Sequence, residues 1–456
     1  MSLAIPTVDH ALVRELKNAE DARFRAEHPR SIALRERARD SMPNGVPMAW
    51  FSSSYHDVPP WVDSASGAHF TDVDGHTYFD TNIADMSMFC GYGPEPLVRA
   101  VSDRIARGNQ FLLPTEDAIV VSEALAARYG LPKWQYTVSA SQANTEAIRV
   151  ARVVTGRDKV LMFDGHYLGH FDQSLVELDD DGNVVPEERG VPASVVDGTV
   201  LVPLNDLGAL ERALERRDIA LVLTEPALTN NHGLILPDDG WHDGLRAVTR
   251  AHGTLLAVDE THTQVVGPGG LTATWGLEPD LLTCGKSIAG GVSFGAWGMT
   301  EATADVLTQA KGPDGERANL IALGGTLFAN ALSMAAARAV LTEILTPEAY
   351  ASTQRLGARL ADGMRAAVDR NSLPWHIHHL GPRAGYTFRP TAVRNAAEAR
   401  ACADELLTRL IRVWLANRGV WEALVGAAPV CSVPATDDDV DAYLAGWDAL
   451  LDRLAH

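Results

Sequence analysis

Position 286 is a lysine in the run LLTCGKSIAGG, where a stretch of apolar residues gives way to small ones. A solvated lysine has little reason to sit at such a junction. Burial and nearby positive charge favour the uncharged amine, the form that condenses with a carbonyl to give a Schiff base. The alternative is a lysine that snorkels out of a strand end. Asp259 closes a similar run, TLLAVDETHT. A carboxylate at a buried strand end needs a partner, because an unpaired charge away from water is expensive. A pyridinium N–H is one such partner, and the pairing would keep the ring protonated and electron-withdrawing. A helix N-cap or a salt bridge is the ordinary alternative. Two such residues, each ending a strand-like run, argue for the chemistry better than either does alone.

Small polar residues open a well-patterned helix in VSASQANTEAIRVAR, residues 138–152. Free backbone N–H groups and the helix dipole at such a start favour an anion, and Ser139 and Ser141 add hydroxyls. An ordinary serine N-cap would read the same. In FDGHYLGH, Gly165 and Gly169 flank Tyr167 just beyond a strand-like run. Its ring could lie flat on a planar ligand, or pack in the core. The tripeptide Gly285-Lys286-Ser287 looks like the end of a phosphate-binding P-loop, but that motif needs a glycine where Asp280 stands. Nucleotide hydrolysis is therefore not expected. Arg383 and Arg389 lie on or beside a strand-like run, and either could fork onto a substrate carboxylate or form a surface salt bridge. His376 and His378 share a strand face in an HIHH cluster, but with no carboxylate or cysteine nearby they are read as ordinary strand histidines, and no metal is expected. His262, close to Asp259, is a better candidate for a substrate contact.

The elements that must position these residues alternate. Apolar runs at 160–163, 219–224, 254–258 and 281–283 end respectively near Asp164, Glu225, Asp259 and Lys286, with helical patterns between most of them. This is the signature of a mostly parallel sheet with helices on both faces. In such sheets ligands bind beyond the carboxyl ends of the strands, so these four residues are expected to converge on one crevice. Asp74-Gly75 signals a hairpin within HFTDVDGHTYFD. The first forty residues are charged and helix-like up to a break at Pro43. Beyond about Thr346, long helical stretches at 347–370 and 395–417 flank strand-like segments at 375–380 and 385–389. The fold class expected is α/β. Residues 71–345 form a large cofactor-binding domain, 346–456 a small α+β domain, and 1–70 an N-terminal segment packing with the small domain.

Composition narrows the classes. The 456 residues carry a formal net charge of −20 and no basic run, which disfavours nucleic acid. No apolar stretch reaches membrane-spanning length, and the first six residues are too short and mixed for a secretory signal. The four cysteines, Cys90, Cys284, Cys402 and Cys431, are widely spaced, which fits a reducing cytoplasm better than a disulfide framework or a zinc ribbon.

The order and spacing of these motifs resemble the class III aminotransferases of fold type I, over about residues 43–441, and most closely the branch containing glutamate-1-semialdehyde aminomutase. The resemblance implies pyridoxal 5'-phosphate as cofactor, with Lys286 forming the Schiff base and Asp259, beside Glu260, pairing with the ring nitrogen. It implies that Ser139-Ala140-Ser141 holds the phosphate and that Tyr167 stacks on the ring. Glu225-Pro226 and Gly233 to Pro237 match a further family motif. Thr261 stands where a valine often packs on the second ring face. Gly325-Thr326 corresponds to a motif that reaches the phosphate of a neighbouring subunit, which implies a homodimer. Several positions depart from the family pattern. Ala140 replaces a glycine, so its backbone must avoid positive φ. Gln142 replaces a glutamate, Leu168 a histidine, and Asp85 falls near a position often aromatic in the substrate pocket. Asp85, His262 and Arg383 are the candidate substrate contacts. The implied activity is ping-pong amino transfer between an amino compound and a keto acid or aldehyde. An aminomutase or a racemase on the same fold is the second reading. A non-catalytic binding module is the third, disfavoured by the presence of both Lys286 and Asp259.

Overall fold

The structure, a computed structural model, describes residues 8–53, 58–229, 232–308, 321–422 and 429–455. The chain divides into two compact units, one of residues 1–94, 351–392 and 399–456, the other of 95–350 and 393–398.

The second unit is built on a seven-stranded sheet. We number its strands β1 (Lys133–Thr137), β2 (Lys159–Phe163), β3 (Thr199–Val202), β4 (Ile219–Thr224), β5 (Leu255–Asp259), β6 (Leu281–Gly285) and β7 (Gly295–Met299). Their spatial order is β1-β7-β6-β5-β4-β2-β3. Pairings among β6, β5, β4, β2 and β3 are parallel, and β7 runs antiparallel to both its neighbours. The four strand-like runs of the sequence are thus four neighbouring strands, β2, β4, β5 and β6. Every residue of β4 and β6 is buried, as expected of strands covered on both faces.

Strand β7 (GAWGM) lacks the apolar alternation that marks a strand, for a steric reason. A Cβ at Gly295 would stand 2.3 Å from the Ser139 carbonyl, and one at Gly298 would meet the Trp134 ring at 2.7 Å. Only glycine allows this strand between β1 and β6. The helix Ala140–Thr155 starts at the N-cap Ser139 and ends at Gly156, which adopts φ 66° as a left-handed C-cap.

In the first unit, antiparallel strands Val62–Ser66, His69–Asp72 and Thr77–Asp80 are extended by Val420–Trp421, parallel to Thr77–Asp80. The Asp74-Gly75 hairpin is present with a four-residue connection, 73–76, in which Gly75 takes φ 95°. The pairing of Thr77–Asp80 with Val420–Trp421 explains why the units divide at 94/95 and 350/351, where the sequence reading divides at 70/71 and 345/346. The helix at 347–370 spans the residues expected. The stretch 395–417 splits into Ala396–Ala401 and Glu405–Ala416, because Asp404 caps a new helix by accepting from the Leu407 amide at 3.0 Å. The N-terminal helical region also breaks at His28-Pro29, into His10–Glu27 and Pro29–Ala38. Strands His376–Leu380 and Arg383–Thr387 form an antiparallel ladder. Among the described residues, no helix is long and apolar enough to cross a membrane.

Candidate active site

Lys286 is the residue immediately after β6. It adopts φ 49° and opens a short 3-10 turn, Lys286–Ala289, that closes at Gly290. A positive φ at lysine is uncommon and carries local strain, which the surroundings must hold in place. Gln264 contributes: its side-chain amide donates to the carbonyls of Thr261 and Gly285, each at 2.8 Å, tying the segment after β5 to the end of β6. The Lys286 side chain is half-buried. Its Nζ lies 2.5 Å from Nε2 of the buried His262 and 6.0 Å from the centre of the Tyr167 ring.

Asp259 ends β5, next to β6, and is buried. Its Oδ1 accepts from the Thr261 amide at 2.8 Å and its Oδ2 from the Asn144 side-chain amide at 2.7 Å. Burial pushes the Asp259 pKa up, while hydrogen bonds from Thr261 and Asn144 and the Lys286 charge oppose the rise. Asn144 is itself fully engaged. It also donates to the Leu168 carbonyl at 2.6 Å, and its Oδ1 accepts from the Thr283 hydroxyl at 2.6 Å. The sequence reading did not single out Asn144 or Thr283. The available signal was a polar residue at 144 in the i, i+3, i+4, i+7 row with the apolar Ala147, Ile148 and Ala151.

Glu260, beside Asp259, has a different task. It is fully buried and accepts from the Thr263 hydroxyl at 2.5 Å, from the Leu271 amide at 3.2 Å and from the Thr272 amide, anchoring the turn at 270–274.

Ser139 and Ser141 stand at the start of the helix Ala140–Thr155. Ser139 Oγ accepts from the Gln142 amide at 3.3 Å, and the first helical bond runs from the Ala143 amide to the Ser139 carbonyl. The amides of Ala140 and Ser141 precede that bond, the usual position of anion-binding donors. Ala140 is not among the positive-φ residues, so alanine is tolerated here. Ser141 Oγ accepts from the His170 amide at 2.9 Å. A Cβ at Gly169 would stand 2.4 Å from that same oxygen, so glycine permits the Tyr167 loop to approach the helix start. Glu225, just beyond β4, accepts from the Tyr167 amide at 3.2 Å and from the Thr229 amide and hydroxyl at 3.2 and 2.8 Å. It is a brace for the Tyr167 loop.

Ser139, Tyr167, Glu225, Asp259, Thr261, His262 and Lys286 therefore gather at the carboxyl edge of one sheet. Asp164 follows β2 at the same edge and accepts from the Leu178 amide at 3.5 Å. The donor set suits a flat, phosphate-bearing pyridine aldehyde. There is an amine for the aldehyde, an aromatic face and an anion-binding helix start. The Asp259 carboxylate uses two of its roughly four acceptor positions in the bonds described.

Thr326 is exposed, and its carbonyl accepts from the Gln110 side chain. Asp85 and Arg383 belong to the other compact unit. Asp85 lines a cavity of about 460 Å³ there, with Asp80, Asn82, Tyr92 and Trp421. Arg383 is 2% exposed, which removes the surface salt bridge as an account of it. His378 is buried and its pKa is pushed down to about 3, chiefly by desolvation, as for a neutral core histidine.

A family model described as Aminotransferase class-III matches residues 51–442. A glutamate-1-semialdehyde 2,1-aminomutase of Anaeromyxobacter dehalogenans is 34% identical over 418 residues, covering 90% of this chain and 95% of the relative. A crystal structure of a glutamate-1-semialdehyde-aminomutase from Pseudomonas aeruginosa PAO1 superposes with a TM-score of 0.94 at 38% identity, covering 98% of this chain and 99% of that one. A lysine-to-alanine variant of an aminomutase of the same name and organism, in complex with PMP, is similarly close. A beta-phenylalanine aminotransferase from Variovorax paradoxus gives a TM-score of 0.86 at 26% identity, covering 96% of this chain and 97% of that one.

Proposed function

Because the chain belongs to the class-III aminotransferases, pyridoxal-phosphate enzymes of fold type I, we propose that it moves an amino group within one substrate, as an aminomutase. Transfer between two substrates ranked first on sequence alone. The aminomutase names of the relatives and neighbours reported above weigh toward migration, and the beta-phenylalanine aminotransferase keeps transfer as the second reading.

The structural observation behind the cofactor chemistry common to both readings is the pairing of β5 with β6, which brings Asp259 and Lys286 to one sheet edge. When bound, pyridoxal phosphate supplies an electron sink that acidifies the substrate carbon and carries the amino group. Asp259 would pair with the ring N–H, its own orientation fixed by Asn144 and the Thr261 amide. The start of the helix at Ser139-Ala140-Ser141 would take the phosphate. Tyr167 would cover one ring face and Thr261 the other. The Lys286 amine would hold the cofactor and, once released, move the proton at the substrate carbon. His262, at 2.5 Å, would orient that amine. Asp85, on its cavity wall, and the buried Arg383 are assigned to substrate choice. The working form would be a homodimer, with Thr326 reaching the partner's phosphate. It is supported by the exposed Leu112, Leu113 and Leu327 near Thr326.

One experiment separates the readings. Glutamate-1-semialdehyde and a panel of amino donors are each incubated with the holoenzyme, with and without a keto acid, and products are read by mass. An isomer formed without an acceptor supports migration. An amino group appearing only on the added keto acid overturns it in favour of transfer. In parallel, Lys286→Ala is expected to abolish turnover and change the visible absorption of the bound cofactor. Full activity in that variant would refute the assignment of Lys286.

A further inference from the structure

In the first compact unit, three side chains converge from distant parts of the sequence. They are His28, at the junction of helices His10–Glu27 and Pro29–Ala38, Asp72, the last residue before the hairpin connection, and His76, the last residue within it. We propose that His28 Nε2, Asp72 Oδ2 and His76 Nδ1 form a binding site for a divalent transition metal, Zn²⁺ by the character of its donors.

The three ligand atoms lie within 4.8 Å of one another. Asp72 Oδ2 is 3.1 Å from His28 Nε2 and 3.4 Å from His76 Nδ1. Zinc bonds of about 2.0–2.2 Å in a tetrahedron put neighbouring ligand atoms about 3.3 Å apart, so both separations match edges of such a site. Two imidazoles and one carboxylate are a borderline donor set that suits zinc rather than calcium or magnesium.

Two of the ligands, His28 and Asp72, are held by a second contact. His28 Nδ1 lies 2.5 Å from the Phe24 carbonyl, an arrangement that puts the proton on Nδ1 and leaves Nε2 an acceptor, its lone pair met by the Tyr78 hydroxyl at 2.6 Å until a metal takes that place. Asp72 Oδ1 accepts from the amides of Asp74 and His76, both at 2.9 Å, leaving Oδ2 to face the cluster. The Tyr78 hydroxyl lies 3.0 Å from Oδ2 and 2.6 Å from His28 Nε2, so its one proton serves either acceptor and turns wholly to Oδ2 once a metal occupies Nε2. Burial, reinforced by Asp72, pushes the Tyr78 pKa far up and keeps it a donor. The hairpin is locked to the helix junction by Asp74, which accepts from the Arg30 amide at 2.7 Å, the Ser31 amide at 2.9 Å and the Ser31 hydroxyl at 2.7 Å. His76 Nδ1 is shielded from solvent yet makes no hydrogen bond among the described residues. That is the state of a nitrogen oriented to coordinate. His28 and Asp72 are buried, whereas the His76 side chain is 36% exposed, so an ion can enter past His76 and a water can complete the tetrahedron. Spacings of 44 and 4 residues in the sequence give no metal motif, so only the packing of hairpin on helix junction brings the donors together.

The test uses full-length holoenzyme dialysed against a chelator. Zn²⁺ is titrated calorimetrically into the wild type, His76→Ala and His76→Gln. Expected are one Zn²⁺ per chain, a higher melting temperature with Zn²⁺ in the wild type only, and affinity at least about tenfold weaker in both variants. Binding of equal strength in all three proteins, or no binding to the wild type, overturns the proposal. Should circular dichroism find both variants misfolded, Co²⁺ loaded into the wild type decides: intense visible bands of tetrahedral Co²⁺ support the site, and the weak spectrum of the aquo ion overturns it.

Discussion

The carboxylate of Asp259 is cut off from water, so its charge depends on two donors, the Thr261 amide and Asn144. Replacing Asn144 by leucine, similar in volume and without polar atoms, removes one of them. It also leaves the Leu168 carbonyl and the Thr283 hydroxyl without their present partner. Each lost partner of a buried polar group costs about 1–3 kcal/mol. The chemical effect has a definite sign. Burial already pushes the Asp259 pKa up and Asn144 opposes it, so Asn144→Leu raises it further. The ionised carboxylate that would pair with a protonated ring nitrogen then prevails only at higher pH. The expected outcome is a lower melting temperature, weaker cofactor retention and an acid limb of the kcat/KM profile displaced to higher pH. Asn144→Asp is isosteric but adds a second buried acid beside Asp259, and should displace the limb further. A pH profile unchanged in both variants would show that Asn144 does not act on this carboxylate.

At the scale of elements, the segment Ile83–Met86 stands out. Four consecutive non-glycine residues take φ of 45°, 49°, 51° and 72°, a left-handed turn. Such a conformation costs roughly 1–2 kcal/mol per residue. Asp80 holds it: one carboxylate oxygen accepts from the Asn82 and Ile83 amides, both at 2.9 Å, and the other from the Tyr92 hydroxyl at 2.6 Å. The turn carries Asp85 to the cavity wall. Ala84→Gly should relieve strain at one position and, after glycine's greater loss of chain entropy, stabilise the protein by about 0.5–1 kcal/mol. The reading is a higher urea midpoint with an unchanged slope. If the strain serves to fix Asp85, KM rises in the same variant.

This turn marks the limit of what the sequence makes legible. Strands β2, β4, β5 and β6 announce themselves as apolar runs, and the rule that ligands gather at strand carboxyl ends is enough to bring Asp259, Glu225 and Lys286 to one edge. Strand β7 is hidden because close approach to Ser139 and Trp134 demanded glycine in place of the usual strand residues. The left-handed turn is hidden because IADM contains none of the residues that favour positive φ, apart from Asp85. Its conformation is imposed from outside, by Asp80. Asn144 is hidden for a third reason. Its role depends on a partner 115 residues away, across a pairing that local pattern cannot specify.

For the whole molecule, surface and charge make opposing demands. Leu112 and Leu113 are 72% and 71% exposed and Leu327 is 58% exposed. The loops carrying them are joined through the Gln110 side chain and the Thr326 carbonyl. Full burial of a leucine is worth about 1.5–3 kcal/mol, so covering these three would favour a second copy by several kcal/mol. Each chain nevertheless carries a net charge of −20, and two such chains repel. Salt screens that repulsion, with a Debye length of about 10 Å at 0.1 M, but leaves apolar contact intact. A homodimer formed on this face should therefore tighten as salt is raised from 0.01 to 0.3 M, opposite to one built on exposed ion pairs. Leu112→Asp with Leu327→Asp should dissociate it in sedimentation velocity at every salt concentration. If Thr326 contacts the partner's phosphate, the same double variant should also release pyridoxal phosphate at least about tenfold more readily, since the cofactor site would lose a donor it cannot supply from its own chain. A dimer unchanged by the double substitution would mean that this apolar face is not where two copies meet.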